Sequence, residues 1–96
     1  MFMYESSTRF ETASAKKYLA QLCKHFSHKI DVTWSENDGE LRFSCGVAAL
    51  NAKENAIEIR IKSPDQDQLP QTQEVVENHL LRFAFRDKPT HLTWVV

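Results

Sequence analysis

Ile57, Ile59 and Ile61 alternate with Glu58, Arg60 and Lys62 and make the clearest strand in the chain. Ile30, Val32 and Trp34 alternate with Asp31 and Thr33 in the same way, and Thr8 and Phe10 do so with Arg9 and Glu11. Two further strands are expected at Leu41 to Cys45 and Val47 to Ala52, with Gly46 marking a bulge, a corner or a tight turn between them. Asn37-Asp38-Gly39 supplies hairpin turn chemistry, because asparagine and glycine tolerate positive φ. Two segments follow helical spacing instead. Ala15, Leu19, Leu22, Cys23 and Phe26 form one stripe on a helix capped by Thr12 or Ser14 and running to about His28. Leu69, Thr72, Val76, His79, Leu80 and Phe83 form another, on a helix opened by Ser63-Pro64-Asp65 and ending near Arg86. Pro70 is tolerated in its first turn, where its absent N–H is not missed. His91 to Val95 is a candidate last strand. The order β-α-β-β-β-β-α(-β) predicts a two-layer α+β domain, an antiparallel sheet with two helices on one face.

Ninety-six residues fit a single domain, 1–96, and a hydrophobic content of 42% is that of a globular chain. A formal net charge of -1 gives no overall field for nucleic acid or membrane. With Gly39 and Gly46 as the only glycines, no glycine-rich phosphate cradle can form. No signal-peptide or membrane-length apolar run occurs, so no membrane is expected and the cytoplasm is the default compartment. Cys23 and Cys45 are too few for a disulfide framework and are expected to be reduced and buried.

The segment Cys23-Lys24-His25-Phe26-Ser27-His28-Lys29 gathers metal-ligand residue types. On a helix His25 and His28 lie about 60° apart, while Cys23 points the opposite way, into the core stripe. The two histidines are either a ligand pair or a flank residue beside an exposed one. His79, between Val76 and Phe83 on the apolar stripe, must hydrogen-bond. It either approaches His25 or is satisfied by backbone or by Tyr18. Arg82 and Arg86, one turn apart, can clamp an anion. Leu81 and Phe85 face away from the Val76 stripe and form an exposed patch unless the helix stops early, and such a patch suits a partner or a second copy of the chain. Lys16, Lys17, Lys24 and Lys29 make the first helix basic, while Asp31 to Glu58 holds six acids against Arg42 and Lys53. A solvated lysine face is the commoner meaning of such a helix, and the net charge argues against duplex binding. No paired-carboxylate or serine-nucleophile arrangement stands out, and Cys23 and His25 fall on different helix faces, so an enzyme is not expected.

Two segments carry a resemblance. Leu22 to Lys29 and Val75 to Arg86 are similar to the signature blocks of the bacterial domain-of-unknown-function 2218 family, and Tyr4-Glu5-Ser6 and Gly46 to Leu50 fit it too. The resemblance implies a small bacterial cytosolic α+β domain similar to the last domain of phosphohexomutases, which shares the TATA-binding-protein-like element order. The glycine- and serine-rich phosphate loop of the phosphohexomutases is not evident here, so their activity is not carried over. The resemblance also associates the chain with iron and siderophore uptake. It nominates His25, His28, His79, Arg82 and Arg86 without assigning them a role. The expectation is therefore a non-enzymatic binding protein linked to a metal, or to iron in a siderophore. His25, His28 and His79 would be the metal or ligand contacts, and Arg82 and Arg86 would hold an anionic part. The alternative is a homodimeric interaction module built on Leu81 and Phe85. A metal ion is the only cofactor candidate, and a protein partner or second copy is the expected macromolecular contact.

Overall fold

The computed structural model describes residues 4–84 and 92–95. Its elements are β1 (Tyr4–Glu11), α1 (Ala15–Phe26), β2 (Asp31–Trp34), β3 (Asp38–Phe43), β4 (Gly46–Ala52), β5 (Ala56–Ser63), a 3-10 turn (Gln66–Gln68) and α2 (Leu69–Phe83). The five strands form one sheet in the order β1-β5-β4-β3-β2, every neighbouring pair antiparallel. Strands β2 to β5 therefore run as a meander, and β1 returns to lie beside β5.

The register explains why both helices share a face. Thr8, Ile59, Leu50, Gly39 and Trp34 stand in one cross-strand row, and Ser6, Ile61, Ala48, Leu41 and Val32 in another. Over these rows α1 buries Ala15, Tyr18, Leu19, Leu22, Cys23 and Phe26, and α2 buries Leu69, Thr72, Val76 and Leu80. The result is one hydrophobic cluster. Burial of those side chains, at about 1.5–3 kcal/mol each, is the main term holding the layers together.

Both glycines sit under a helix. A Cβ on Gly39 would lie 2.6 Å from Cys23 Sγ, and one on Gly46 would lie 2.7 Å from the Lys62 carbonyl and 2.9 Å from Thr72 Oγ1. This corrects the reading of Asn37-Asp38-Gly39 as the hairpin turn. The turn is made by residues 35–37, with the Ser35 N–H donating to the Asp38 carbonyl at 2.8 Å, and Gly39 lies within β3 opposite Leu50. Cys45 likewise belongs to the two-residue turn between β3 and β4, not to a strand. Helix α1 stops at Phe26, earlier than His28, because the chain tightens there. Ser27 N–H donates to the Cys23 carbonyl, and both Lys29 and Ile30 N–H donate to that of Phe26.

The C-terminal segment reaches the outer edge of β1. Ser7 and Val95 exchange both backbone hydrogen bonds at 2.8 Å, and Thr8 Oγ1 donates to the Thr93 carbonyl at 2.7 Å. Trp94 Nε1 donates to Glu77 of α2, also at 2.8 Å, tying the same segment to the helical layer. Among the described residues the expected last strand is thus a single bridge, and His91 lies outside them. No described helix is long and apolar enough to cross a membrane.

Candidate functional site

The last turn of α1 meets the last turns of α2. His25 leaves the core stripe on the flank facing α2, and its ring centroid is 4.9 Å from that of His79. Phe26 lies 4.6 Å from His79 and 5.1 Å from Phe43, and Phe83 lies 5.9 Å from His25. The two imidazoles are thus set in an aromatic cluster that anchors the helices to each other and to β3.

Hydrogen bonding fixes the state of the His79 ring. Its Nδ1 is 2.7 Å from the Val75 carbonyl one turn earlier. A carbonyl only accepts, so Nδ1 carries the proton, and in the neutral ring Nε2 holds a free lone pair. Backbone thus satisfies His79, as one of the two expectations had it, and His25 is brought alongside as the other had it. His25 is in the opposite condition, because its Nε2 is buried and has no hydrogen-bond partner among the described residues. Burial of the ring lowers its pKa below the ordinary 6.5, and the neighbouring His79, Lys29, Arg82 and His28 push it the same way. The ring is therefore held toward its neutral form, beside the cations Lys29 and Arg82.

Of the remaining candidates, His28 and Arg82 lie near enough to His25 to act on its charge. His28 is exposed on the turn after α1, and since the helix ends at Phe26 the helical spacing that paired it with His25 does not apply. Among the described residues no group of three or more His, Cys, Asp or Glu is placed to hold a metal ion. The expected three-histidine cluster is thus two converging imidazoles. Arg82 is exposed beside them, while Arg86 and Phe85 lie outside the described residues. Leu81 is not an exposed patch. It is half-buried against the core, four residues after Glu77 on the flank that Trp94 engages. Cys23 is fully buried, and burial pushes its thiol up to about 11, so it holds no reactive thiolate.

Sequence reasoning passed over Gln21. Its Oε1 is the other buried side-chain atom without a partner among the described residues, and it lies one turn before His25. The i, i+4 spacing of a polar pair beside the core stripe was the available signal. Buried polar atoms are nearly always paired, so these two atoms, a turn apart on α1, are the exceptions among the described residues.

A family model described as an uncharacterized protein conserved in bacteria, DUF2218, matches residues 7–95. The chain belongs to the DUF2218 family. The NMR structure of PA4090 from Pseudomonas aeruginosa is similar over 96% of this chain and 95% of that one, with 31% sequence identity and a TM-score of 0.80. The α+β arrangement of this DUF2218 chain is therefore shared with a solved relative along nearly its whole length. No curated protein matches the chain. The DUF2218 description assigns no reaction and no ligand, so the chemistry of the site rests on its own atoms.

Proposed function

We propose that this DUF2218 chain is a binding protein whose ligand contact is the His25–His79 pair, and that it takes a transition-metal ion presented in an anionic chelate. The observation that carries this reading is the buried Nε2 of His25, without a partner among the described residues, beside a His79 ring whose Nδ1 is committed to the Val75 carbonyl. A histidine that binds metal through one nitrogen commonly donates the other to a carbonyl, which sets the tautomer and raises the basicity of the donor. Neutral imidazole suits borderline ions such as zinc, iron and copper.

Two protein donors leave most of the coordination sphere to be supplied with the ion. Charge decides which form arrives. Lys29 and Arg82 are cations that act on His25, so a bare divalent cation meets repulsion and an anionic chelate meets attraction. Arg82 would face the carboxylate or hydroxamate oxygens of such a chelate. The dimer alternative gains no support from Leu81, which packs on its own core.

Calorimetric titration with ferric citrate, citrate alone and zinc chloride tests this. Ferric citrate should bind more tightly than citrate, paramagnetic broadening should centre on the His25 and His79 rings, and His79→Leu should abolish both effects. Binding that is unchanged in His79→Leu, or no binding of ferric citrate, overturns the assignment.

A further inference from the structure

The sheet face turned away from the helices carries a second feature, independent of the histidine pair. Three charged rows cross it. Glu5, Lys62, Val47, Arg42 and Asp31 stand in one, Ser7, Arg60, Ala49, Glu40 and Thr33 in the next, and Arg9, Glu58, Asn51 and Asp38 in the third. Among the cations of these three rows all but one are paired. Arg9 meets Glu58 at 2.8 Å, Arg42 meets Glu40 at 2.7 Å and Lys62 meets Glu5 at 3.6 Å. Asp38 accepts a hydrogen bond from Asn51. Arg60 has no carboxylate among the described residues, and its cross-strand neighbours are the short side chains of Ser7 and Ala49.

A trough of about 710 Å³ lies over this part of the sheet; Arg60 and Lys53 are the cations in its lining, Ser7, Thr33 and Asn51 are among its neutral polar groups, and the carboxylates that share it, Asp38, Glu40 and Glu58, are each already engaged by a neighbour. That volume is in the range of small-molecule sites, roughly 300–1,000 Å³. We infer that the open sheet face binds a small carboxylate-bearing molecule, with the Arg60 guanidinium as its anchor and the hydroxyls of Ser7 and Thr33 within the same recess. Arginine's planar fork matches a carboxylate with two parallel hydrogen bonds, and the carboxylates nearest to Arg60 in the lattice of the sheet are already engaged. A polyanion is disfavoured, because Glu5, Asp31, Asp38, Glu40 and Glu58 offset Arg9, Arg42, Arg60, Lys62 and the neighbouring Lys53 and leave no net attraction for a phosphate backbone.

The test is a two-dimensional amide NMR titration with N-acetylglycine, against its uncharged counterpart N-acetylglycinamide. N-acetylglycine should give saturable shifts at the Ser7, Ala49 and Arg60 amides, with a Kd around the millimolar range expected of so small a probe. The neutral amide should bind at least about tenfold more weakly, the scale of a lost charge-assisted hydrogen bond. Arg60→Gln should remove the shifts, and Lys62→Gln, which makes the same change of charge on the same face, should leave them. Shifts that are absent, scattered over the surface, or equally weakened by Lys62→Gln overturn the inference. Since the His25 and His79 signals report the other site separately, failure here leaves that reading intact, and the reverse holds as well.

Discussion

Gly39→Ala tests whether α1 is seated as closely on the sheet as the geometry requires. The new Cβ would lie 2.6 Å from Cys23 Sγ, whereas the nearest atoms of Trp34 and Leu19 stand at ordinary distances of 3.5 and 3.6 Å. Non-bonded heavy atoms settle at about 3.5–4 Å, so the sulfur or the helix must retreat by about 1 Å. Cys23 is completely buried, with Leu19 and Leu22 beside it, and has nowhere to go without disturbing the core. Overpacking of this kind costs about 1–3 kcal/mol, and the gain from replacing glycine in a strand, about 0.5–1 kcal/mol, offsets part of it. A net loss of about 1–2 kcal/mol corresponds to a fall in Tm of roughly 4–16 °C for a chain of this size. Cys23→Ala alone should cost about 1 kcal/mol through the small cavity it leaves. Combined, the two changes should compensate, since the alanine at position 39 occupies the space the sulfur vacated. Urea unfolding of the four proteins, followed by far-ultraviolet dichroism, gives the coupling energy directly. A value of about 1–3 kcal/mol in favour of the double variant is expected. Additivity to within about 0.5 kcal/mol would show that helix and strand do not touch there, and the account of Gly39 would fail.

Three further outcomes follow from the same geometry. Because His25 is held below its ordinary 6.5, the unfolded chain takes up a proton there before the folded one does, so stability should fall as pH drops through about 6.5 and level off below the folded value; His25→Gln should flatten that part of a pH series of urea midpoints. Leu80→Ala, at a fully buried position of α2, should cost about 2–5 kcal/mol by the same urea assay, while Arg9→Ala, which breaks an exposed ion pair, should cost no more than about 1 kcal/mol. Glu77→Ala should release Trp94 for about 1 kcal/mol, seen as a red shift of tryptophan emission and faster hydrogen exchange at the Ser7 and Val95 amides.

Local periodicity made most of the architecture legible. The isoleucines of β5 and the two helical stripes are burial patterns, and the sheet and its covering helices form where those patterns place them. What local reading missed was set by contacts distant in sequence. Asn37-Asp38-Gly39 has strong turn chemistry, yet Asp38 pairs with Asn51, and the glycine is required by a sulfur sixteen residues earlier. The end of α1 carries no glycine to announce it, so helical periodicity runs on over His28 and groups the third histidine with the other two. At the site, the position of His79 on an apolar stripe already demanded a hydrogen-bond partner. The orphaned atoms of Gln21 and His25 could not be foreseen, because burial without a partner depends on what α2 brings against α1.

The bridge between Ser7 and Val95 has a bearing on how the molecule keeps apart from its neighbours. An eight-residue strand such as β1 would otherwise offer a row of free amides and carbonyls to any extended chain that met it. The last residues fill part of that row, and the opposite margin of the sheet is the four-residue β2, too short to be a good template. Protection against edge-to-edge growth is therefore lodged in residues 93–95. Their removal would turn a guarded margin into an adhesive one.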